Sequence, residues 1–299
     1  MDTMNQTEPS RKKNGKPLRP GSRARFLLCS DLDRTLIPNG LQPESPRARP
    51  LLRGLVRKAA VCLVYVTGRN QALVEEAIAQ YQLPWPDAVI GDVGTRIWST
   101  LDGKWSAWQQ WEDLIARQWP PDAPDRIAAE AKKIGGIRRQ PEDRQSRFKQ
   151  SYTCGLADLD AHCAGLRSRL SDCGLEVNII GSIDEVTDQG LIDVLPGAAT
   201  KQSAIEMVMS AWGFHHWNTI CAGDSGNDLP FLTSALQAVL VANATDRVRQ
   251  RAVSLAAQQG QSANLYIARG GFWGMNGNYS AGVLEGMAHY VPQIRNMLE

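Results

Sequence analysis

The sequence has no long apolar segment. Spanning a bilayer takes about eighteen consecutive apolar residues, and no stretch of the 299-residue chain approaches that length. The N-terminus also lacks the apolar centre of a secretory signal. We therefore expect a cytoplasmic protein that has no membrane partner.

Cysteine is scarce, and its spacing is not that of a metal or disulfide framework. The chain has six cysteines and no CxxC pair. Cys29, Cys62 and Cys221 each lie in a short apolar run that is typical of a buried strand. These residues are expected to be small core side chains in a reducing compartment.

Positive charge is confined to one end of the chain. The formal net charge is +2, and residues 1–25 hold seven basic and two acidic side chains, so residues 26–299 sum to −3. Binding to nucleic acid needs a clustered positive face, which this body lacks. The composition of residues 1–25, rich in polar residues, Pro and Gly, predicts a disordered basic tail. It is either a solvated leader or an arm for an acidic partner.

Short apolar runs that stop at polar turns recur at both ends of the chain. One run ends at Asp31, and another ends at Thr67 and is followed by an amphipathic helix pattern at residues 71–78. The pattern returns later, with helices at 201–212 and 245–257 and strands at 217–222 and 236–241. Such alternation predicts an α/β fold with a Rossmann-like core, in which the sheet is doubly wound and mostly parallel.

The middle of the chain has a different pattern. Helices are predicted at 122–134 and 158–171, strands at 147–154 and 175–180, and a closing hairpin at 184–195. We interpret residues 111–195 as an inserted α+β cap domain that determines substrate specificity. Residues 26–110 and 196–299 would then be the two parts of the core domain. The glycine-rich residues 270–277 have no nucleotide-loop spacing and predict a mobile surface loop.

Two aspartates, Asp31 and Asp33, follow the first predicted strand. In extended geometry both side chains leave the same face, at the edge of the sheet where open α/β folds bind ligands. One carboxylate there can attack phosphorus, while the other handles the proton of the leaving alcohol. The alternative is an Asp-rich turn with a hydroxyl cap.

A second acidic turn, Gly223-Asp224-Ser225-Gly226-Asn227-Asp228, directly follows another apolar strand. Two carboxylates four residues apart, with glycines that allow a sharp turn, suit an octahedral Mg²⁺ that keeps several waters. The alternative is a simple turn that leads into a helix N-cap.

Phosphate-binding groups are also present. Thr67 and Gly68 can offer a hydroxyl and a backbone N–H to phosphate oxygens, and Lys201, at the start of a predicted helix, can neutralise the phosphoryl group. The alternative is that these residues are only structural: Thr67 and Gly68 would then form an ordinary turn, and Lys201 would be an ordinary helix residue.

Taken in order, these segments resemble the four motifs of the haloacid dehalogenase superfamily of phosphatases. The matching residues are Asp31-Leu32-Asp33-Arg34-Thr35, Val66-Thr67-Gly68-Arg69, Lys201 and the turn that ends at Asp228. Four further segments look like those of the sucrose-phosphate phosphatases: residues 93–95, 148–152, 193–196 and 281–289. One position departs from that family, because Arg96 stands where a Glu is usual.

The resemblance implies a role for each matched residue. Asp31 would be the nucleophile and a Mg²⁺ ligand, and Asp33 the general acid and base that also binds the metal through its carbonyl. Asp224 and Asp228 would complete the metal site. Asn227 would orient the metal ligands, while Thr67, Gly68 and Lys201 would hold the phosphate.

Four residues of the cap are candidates for contacts to sugar hydroxyls: Lys149, Ser151, Tyr152 and Asp193. A buried hydrogen-bonded pair of Tyr152 and Asp193 is the alternative.

The expected activity is Mg²⁺-dependent hydrolysis of a sugar phosphate through an aspartyl phosphate, with sucrose 6-phosphate as the first candidate. Alternatives are a phosphatase for another glycosyl or osmolyte phosphate, such as mannosyl- or glucosyl-3-phosphoglycerate, and a non-catalytic sugar-phosphate-binding partner of a synthase. We expect a monomer that can associate with the synthase that makes its substrate.

Overall fold

The structure is a computed structural model that describes residues 25–58, 61–184 and 187–298. In chain order, its strands are β1 (Phe26–Ser30), β2 (Val61–Val66), β3 (Ala88–Gly91), β4 (Arg96–Ser99), β5 (Ser106–Ala107), β6 (Arg138–Arg139), β7 (Gln150–Gly155), β8 (Val177–Asp184), β9 (Gln189–Pro196), β10 (Thr219–Gly223), β11 (Gln237–Leu240) and β12 (Leu265–Ile267). The helices are α1 (Ala48–Arg57), α2 (Gln71–Tyr81), α3 (Gln109–Ala116), α4 (Ala123–Ala131), α5 (Leu159–Asp172), α6 (Lys201–Trp212), α7 (Leu229–Leu232), α8 (Asp246–Gln258), α9 (Ser280–Tyr290) and α10 (Ile294–Leu298).

The larger sheet has eight strands in the order β12-β11-β10-β1-β2-β3-β4-β5. The strands from β12 to β3 pair in parallel, and β4 and β5 add an antiparallel edge. Every residue of β2 is buried, as expected for a continuous apolar strand in a sheet that is covered on both faces. The predicted α/β class with a mostly parallel sheet is confirmed.

Helices cover both faces of this sheet, because alternate residues of each strand point to opposite sides. Leu27 of β1 belongs to the apolar cluster that includes α6 and α7. Leu28, the next residue, belongs to the cluster that includes α1, α2 and α9. The arrangement is doubly wound, as the sequence pattern predicts.

The smaller sheet has four antiparallel strands in the order β6-β7-β9-β8. Leu159, Cys163 and Leu166 of α5 pack with Tyr152 and Ile192 of this sheet in one apolar cluster. Its opposite face lies over the carboxyl ends of the strands of the larger sheet, where the two sheets border a common cleft.

The division of the chain at residues 110 and 195 stays a prediction. The strands of the smaller sheet fall within the predicted cap except for Pro196. Helix α3 begins at Gln109, and the indole of its Trp111 donates a hydrogen bond to the Gly94 carbonyl at 3.0 Å, which ties it to the larger sheet. The predicted basic tail lies outside the described residues apart from Arg25.

In the part of the chain that the structure describes, no helix combines the length and the apolar character needed to cross a bilayer. The cysteines described are all free, and all but Cys173 are buried.

The glycine-rich residues 270–277 are not the mobile surface loop that their composition predicts. The buried carboxylate of Glu285 accepts the backbone N–H groups of Arg269 and Gly270 at 2.8 and 2.9 Å. Phe272 and Met275 are buried in the core cluster that includes α9. The stretch is therefore fixed by a buried acid fifteen residues further along the chain, which local composition does not reveal.

Candidate active site

The site is built at the carboxyl ends of two neighbouring strands. Asp31 follows β1 and Asp224 follows β10, and these strands pair in parallel. The backbone N–H of Asp31 donates to the Ala222 carbonyl at 2.9 Å, which extends the pairing to the first residue of the turn. The topology thus places the two predicted motifs side by side.

Three buried carboxylates meet there. Asp31, Asp224 and Asp228 each offer an oxygen, and these atoms all lie within 4.8 Å of one another. The close turn depends on Gly223, since an added Cβ would lie 2.6 Å from the side chain of Asp228. Like charges this close repel unless a cation or a proton lies among them.

Asp228 orders the turn with both of its oxygens. Oδ2 accepts the backbone N–H groups of Asp224 and Ser225, each at 3.1 Å, and Oδ1 accepts the ammonium of Lys201 at 2.7 Å. Asp228 is therefore better placed to hold the turn in shape than to offer an oxygen to a metal ion.

Asp224 has more capacity for a cation. Its Oδ1 accepts the Thr35 hydroxyl at 3.0 Å. Its Oδ2 is buried and accepts no hydrogen bond from the described residues, although Nε of Arg34 lies 3.5 Å away. A buried carboxylate oxygen with spare capacity, next to a second carboxylate, fits a hard cation with oxygen ligands such as Mg²⁺.

Lys201 connects the acidic groups. Thr200 caps the start of α6, and the fully buried ammonium of Lys201 donates to Asp31 at 2.8 Å, to Asn227 at 2.9 Å and to Asp228 at 2.7 Å. Burial opposes its charge, but the carboxylates of Asp228 and Asp31 outweigh burial and raise the pKa of Lys201. The residue therefore stays cationic at the centre of the site.

Negative charge still exceeds positive charge at this point of the cleft. Burial, helped by the neighbouring Asp228 and Asp33, raises the pKa of Asp31 from 3.8 to about 7, although Lys201 opposes the rise. Burial and the charges of Asp31 and Asp228 also raise the pKa of Asp224 well above its ordinary value. A divalent cation would offset this electrostatic repulsion and favour the ionised forms of Asp31 and Asp224.

Asp33 lies in the cleft and is held by two residues. The guanidinium of Arg69 donates to both carboxylate oxygens, from Nε at 2.8 Å and from Nη2 at 2.6 Å, and Asn39 donates to Oδ1 at 2.7 Å. Burial alone would raise the pKa of Asp33, but Arg69, Asn39 and Lys201 lower it. Arg69 directly follows Thr67-Gly68 in the sequence, whereas nothing in the sequence pattern points to Asn39.

The phosphate-binding candidates lie beside these carboxylates. Thr67 follows β2 and is buried, and its hydroxyl accepts the backbone N–H of Arg69 at 3.2 Å. Gly68 lines the cleft together with Asp31 and Asp33. The roles of Thr67, Gly68 and Lys201 in holding phosphate stay predictions.

On the cap side, Lys149, Ser151 and Asp193 line the cleft. Ser151 and Asp193 are directly opposite each other on β7 and β9, and the Ser151 hydroxyl donates to the Asp193 carboxylate. The structure thus brings three of the four predicted cap residues to the cleft, and their contacts to sugar hydroxyls stay a prediction.

Tyr152 is a correction to the sequence prediction. Because side chains alternate along a strand, Tyr152 points away from the face that carries Ser151. It is buried in the interior of the cap, with only 2% of its surface exposed to solvent. Its hydroxyl has no hydrogen-bond partner among the described residues. Tyr152 therefore does not border the cleft, and the predicted buried pair with Asp193 is not formed, since Asp193 accepts the Ser151 hydroxyl instead.

Arg96 does not contribute to the cleft. Its guanidinium forms an ion pair with Glu112 of α3, and it is not among the residues that border the cavity. The departure from the usual Glu therefore places no positive charge on the cleft wall.

The cleft between the two sheets has a volume of about 620 Å³. The core contributes the loop of Asn39, Gly40 and Leu41 to the lining of the cleft. It also contributes three acidic residues: Asp31, Asp33 and Asp224. The cap contributes the following residues: Gln140, Arg144, Lys149, Ser151, Ser182, Ile183, Asp184, Leu191 and Asp193.

Comparison with known families decides the classification. The model of the sucrose-6F-phosphate phosphohydrolase family matches residues 24–291. The chain belongs to this family. It is a phosphoric monoester hydrolase of the haloacid dehalogenase superfamily, as the sequence motifs predict.

Individual relatives agree with this membership. A HAD-like hydrolase of Nitrosococcus oceani is 45% identical over 276 residues, which is 92% of this chain and 74% of the relative. The mannosylfructose-phosphate phosphatase of Agrobacterium fabrum is 27% identical over 280 residues, which is 92% of this chain and 98% of the relative. The chain is therefore a sugar phosphatase that is related to sucrose-phosphatase and to mannosylfructose-phosphate phosphatase.

A solved structure shares the fold. The sucrose-phosphatase of Synechocystis, solved with sucrose and phosphate, superposes with a TM-score of 0.72 at 24% identity and covers 89% of this chain and 98% of its own.

Proposed function

We propose that this enzyme hydrolyses the phosphate monoester of a disaccharide in a Mg²⁺-dependent reaction, through an aspartyl phosphate on Asp31. The observation that carries the proposal is that Asp31 and Asp224 meet at the ends of two adjacent strands, where Lys201, at the start of α6, donates to Asp31. Phosphoryl transfer needs mainly positioning and charge neutralisation, and these residues supply both.

In the proposed reaction, an oxygen of Asp31 attacks phosphorus and the bond to the sugar oxygen breaks. Asp33 gives a proton to that oxygen as it leaves. Water then attacks the aspartyl phosphate and gives its proton to Asp33, which frees phosphate and restores Asp31. Lys201 stays charged throughout and opposes the negative charge of the transferring group.

Asp31, Asp224, Asp228 and the carbonyl of Asp33 are the proposed Mg²⁺ site, with Asn227 as an orienting residue. When bound, the cation would neutralise charge on the phosphoryl group and on the carboxylates. Because both oxygens of Asp228 are already engaged, we favour Asp31 and Asp224 as the direct side-chain ligands.

Sucrose 6-phosphate is the proposed substrate, because the matching family model describes a sucrose-6F-phosphate phosphohydrolase. A cleft of about 620 Å³ has room for a disaccharide, and the Ser151–Asp193 pair offers it polar groups. Mannosylfructose phosphate is the second candidate, since the Agrobacterium relative that is named for it aligns over 98% of its length.

The test is a substrate panel with Mg²⁺ and with EDTA. It should contain sucrose 6-phosphate, mannosylfructose phosphate, glucosylglycerol phosphate and the glycosyl-3-phosphoglycerates. With Mg²⁺, we expect the highest kcat/KM for sucrose 6-phosphate. With EDTA, we expect no turnover of any substrate. If another glycoside is turned over faster, the narrow substrate assignment is wrong. Turnover that persists in EDTA contradicts the metal requirement.

Three further expectations remain predictions: the cytoplasmic location, the monomeric state and an association with a sugar-phosphate synthase. Because the chain belongs to a family of phosphohydrolases, we do not propose the alternative of a non-catalytic binding partner.

A further inference from the structure

Asp92 occupies an unusual backbone position next to the site. It follows β3 with φ of 48°, and Val93 and Gly94 continue with φ of 60° and 102°. Asp tolerates this left-handed region, but the β-branched Val93 adopts it only at a cost in free energy, which the surroundings must impose. The backbone at the edge of the cleft is therefore held in place by its contacts.

The surrounding contacts fix this loop against the phosphate-binding turn. The backbone N–H of Asp92 donates to the Arg69 carbonyl at 3.1 Å, and that of Val93 donates to the Thr67 carbonyl at 3.0 Å. At Gly94 an added Cβ would lie 2.4 Å from the backbone of Thr200, just before Lys201. The side chain of Asp92 therefore has a fixed origin relative to the phosphate candidates.

That side chain reaches across to the cap. Its Oδ1 lies 3.2 Å from Nζ of Lys149, and each of the two side chains is only 8% exposed. A buried ion pair is a poor source of stability, because desolvation offsets its attraction, but breaking it leaves an uncompensated charge. The pair is better explained as a device that fixes where the ammonium lies.

Lys149 has capacity left at that position. An ammonium has three N–H donors, of which one faces Asp92 and a second donates to the Gly68 carbonyl at 3.3 Å. Lys149 also borders the cleft beside Gly68 and Val93. The third donor is available to a ligand in the cleft beside the Gly68 turn.

We propose that Asp92 is a positioning residue that holds Lys149 of the cap over the Gly68 turn, where Lys149 contacts an oxygen of the substrate phosphate and not a sugar hydroxyl. The inference rests on the proposed phosphatase activity and assigns Lys149 to one part of the substrate. It also assigns a function to Asp92, which no sequence motif marks.

The experiment compares wild type with Asp92→Asn, Lys149→Met and the double variant, and uses Glu130→Gln as a control. Glu130 is likewise a mostly buried acid in ion pairs, with Lys133 and Arg169, but it does not border the cleft. Two quantities are measured: the Ki of inorganic phosphate against p-nitrophenyl phosphate hydrolysis, and kcat/KM for sucrose 6-phosphate. Thermal unfolding of each variant monitors stability.

We expect Asp92→Asn and Lys149→Met each to raise the Ki of phosphate about tenfold, as for loss of a charge-assisted contact. The double variant should resemble Lys149→Met, since Asp92 acts through Lys149. Glu130→Gln should leave Ki unchanged, whatever its melting temperature.

Two results would overturn the proposal. One is a phosphate Ki that Lys149→Met leaves unchanged while KM for the sugar phosphate rises, which would place Lys149 on the sugar. The other is additive losses in the double variant, which would mean that Asp92 acts independently. Because phosphate binding is measured without a sugar, failure of sucrose 6-phosphate as a substrate is a separate outcome.

Discussion

Nζ of Lys201 lies 2.8 Å from Oδ1 of Asp31, although the two residues are 170 positions apart in the chain. The contact joins the start of α6 to the end of β1 and neutralises part of an acidic cluster. The proposed chemistry needs Asp31 to be ionised and close to a cation. The Lys201 ammonium is one such cation, and its charge favours the ionised form of Asp31.

Replacing Lys201 with Met should affect both stability and activity. The buried carboxylates of Asp31 and Asp228 would lose their counter-ion, and we expect a loss of about 3 kcal/mol in the free energy of unfolding. The kcat should fall by about a hundredfold or more, because a charge that stabilises the transferring group is lost. Denaturant unfolding and initial rates measure these effects, with the exposed Lys132→Met as the control. A variant with near-normal kcat would contradict the role of Lys201.

The effect of Mg²⁺ on stability should depend on pH. The folded-state pKa of Asp31 is raised from 3.8 to about 7, so the folded metal-free protein binds this proton more tightly than the unfolded chain does. That contribution to stability is full below the unfolded value and is lost as pH rises through about 7. Mg²⁺ must displace the proton, so its stabilising effect should be larger at about pH 8 than at about pH 6.

Thermal unfolding with Mg²⁺ and with EDTA at both pH values tests this expectation. Asp224→Asn should reduce the shift at both, because it removes a proposed ligand. Equal shifts at the two pH values would mean that the cation does not compete with a proton at these carboxylates.

Arg69 should matter most when the leaving group needs a proton. Its guanidinium holds both oxygens of Asp33, so we infer that it aims this carboxyl group and must loosen its hold when Asp33 carries a proton. Arg69→Ala should lower kcat/KM for a sugar phosphate by about a hundredfold, as for misplaced general-acid catalysis. The loss with p-nitrophenyl phosphate, whose leaving group needs no proton, should be much smaller. Equal losses with both substrates would show that Arg69 acts on phosphate binding alone.

Ser151 and Tyr152 form a matched pair for testing which face of β7 meets the substrate. Ser151→Ala removes a hydroxyl that borders the cleft, and KM for the sugar phosphate should rise about threefold to tenfold. Tyr152→Phe removes a buried hydroxyl without a described partner, so KM should not change and stability should be equal or slightly higher. The reverse pattern of KM values would restore Tyr152 as a sugar contact.

The central features of this site were predictable because they are local in sequence. Asp31 and Asp224 each follow an apolar run of strand length, and polar residues at the carboxyl ends of parallel strands share one edge of the sheet. What no local pattern states is that β1 and β10 are neighbours. The resemblance to a known family implied only that Asp31 and Asp224 belong to one metal site.

The errors have a common physical cause, which is that sequence alone does not fix the phase of alternation or contacts between distant residues. The strand around Tyr152 was predictable, but which of its faces meets the cleft depends on the pairing of β7 with β9. Asn39 and Asp92 are held by tertiary contacts, and the left-handed backbone of the β-branched Val93, next to Asp92, is not suggested by its residue type. Glu285 likewise fixes a glycine-rich stretch whose composition alone predicts mobility.

The most direct test of the account is the covalent state of Asp31. In Asp33→Asn, p-nitrophenyl phosphate can still transfer its phosphoryl group, since its leaving group needs no proton, but water then lacks a base. Rapid acid quench followed by peptide mass spectrometry should find one phosphoryl group on Asp31 with Mg²⁺ and none with EDTA. Phosphate on another residue, or an unmodified Asp31 in a variant whose substrate is consumed, would contradict the account.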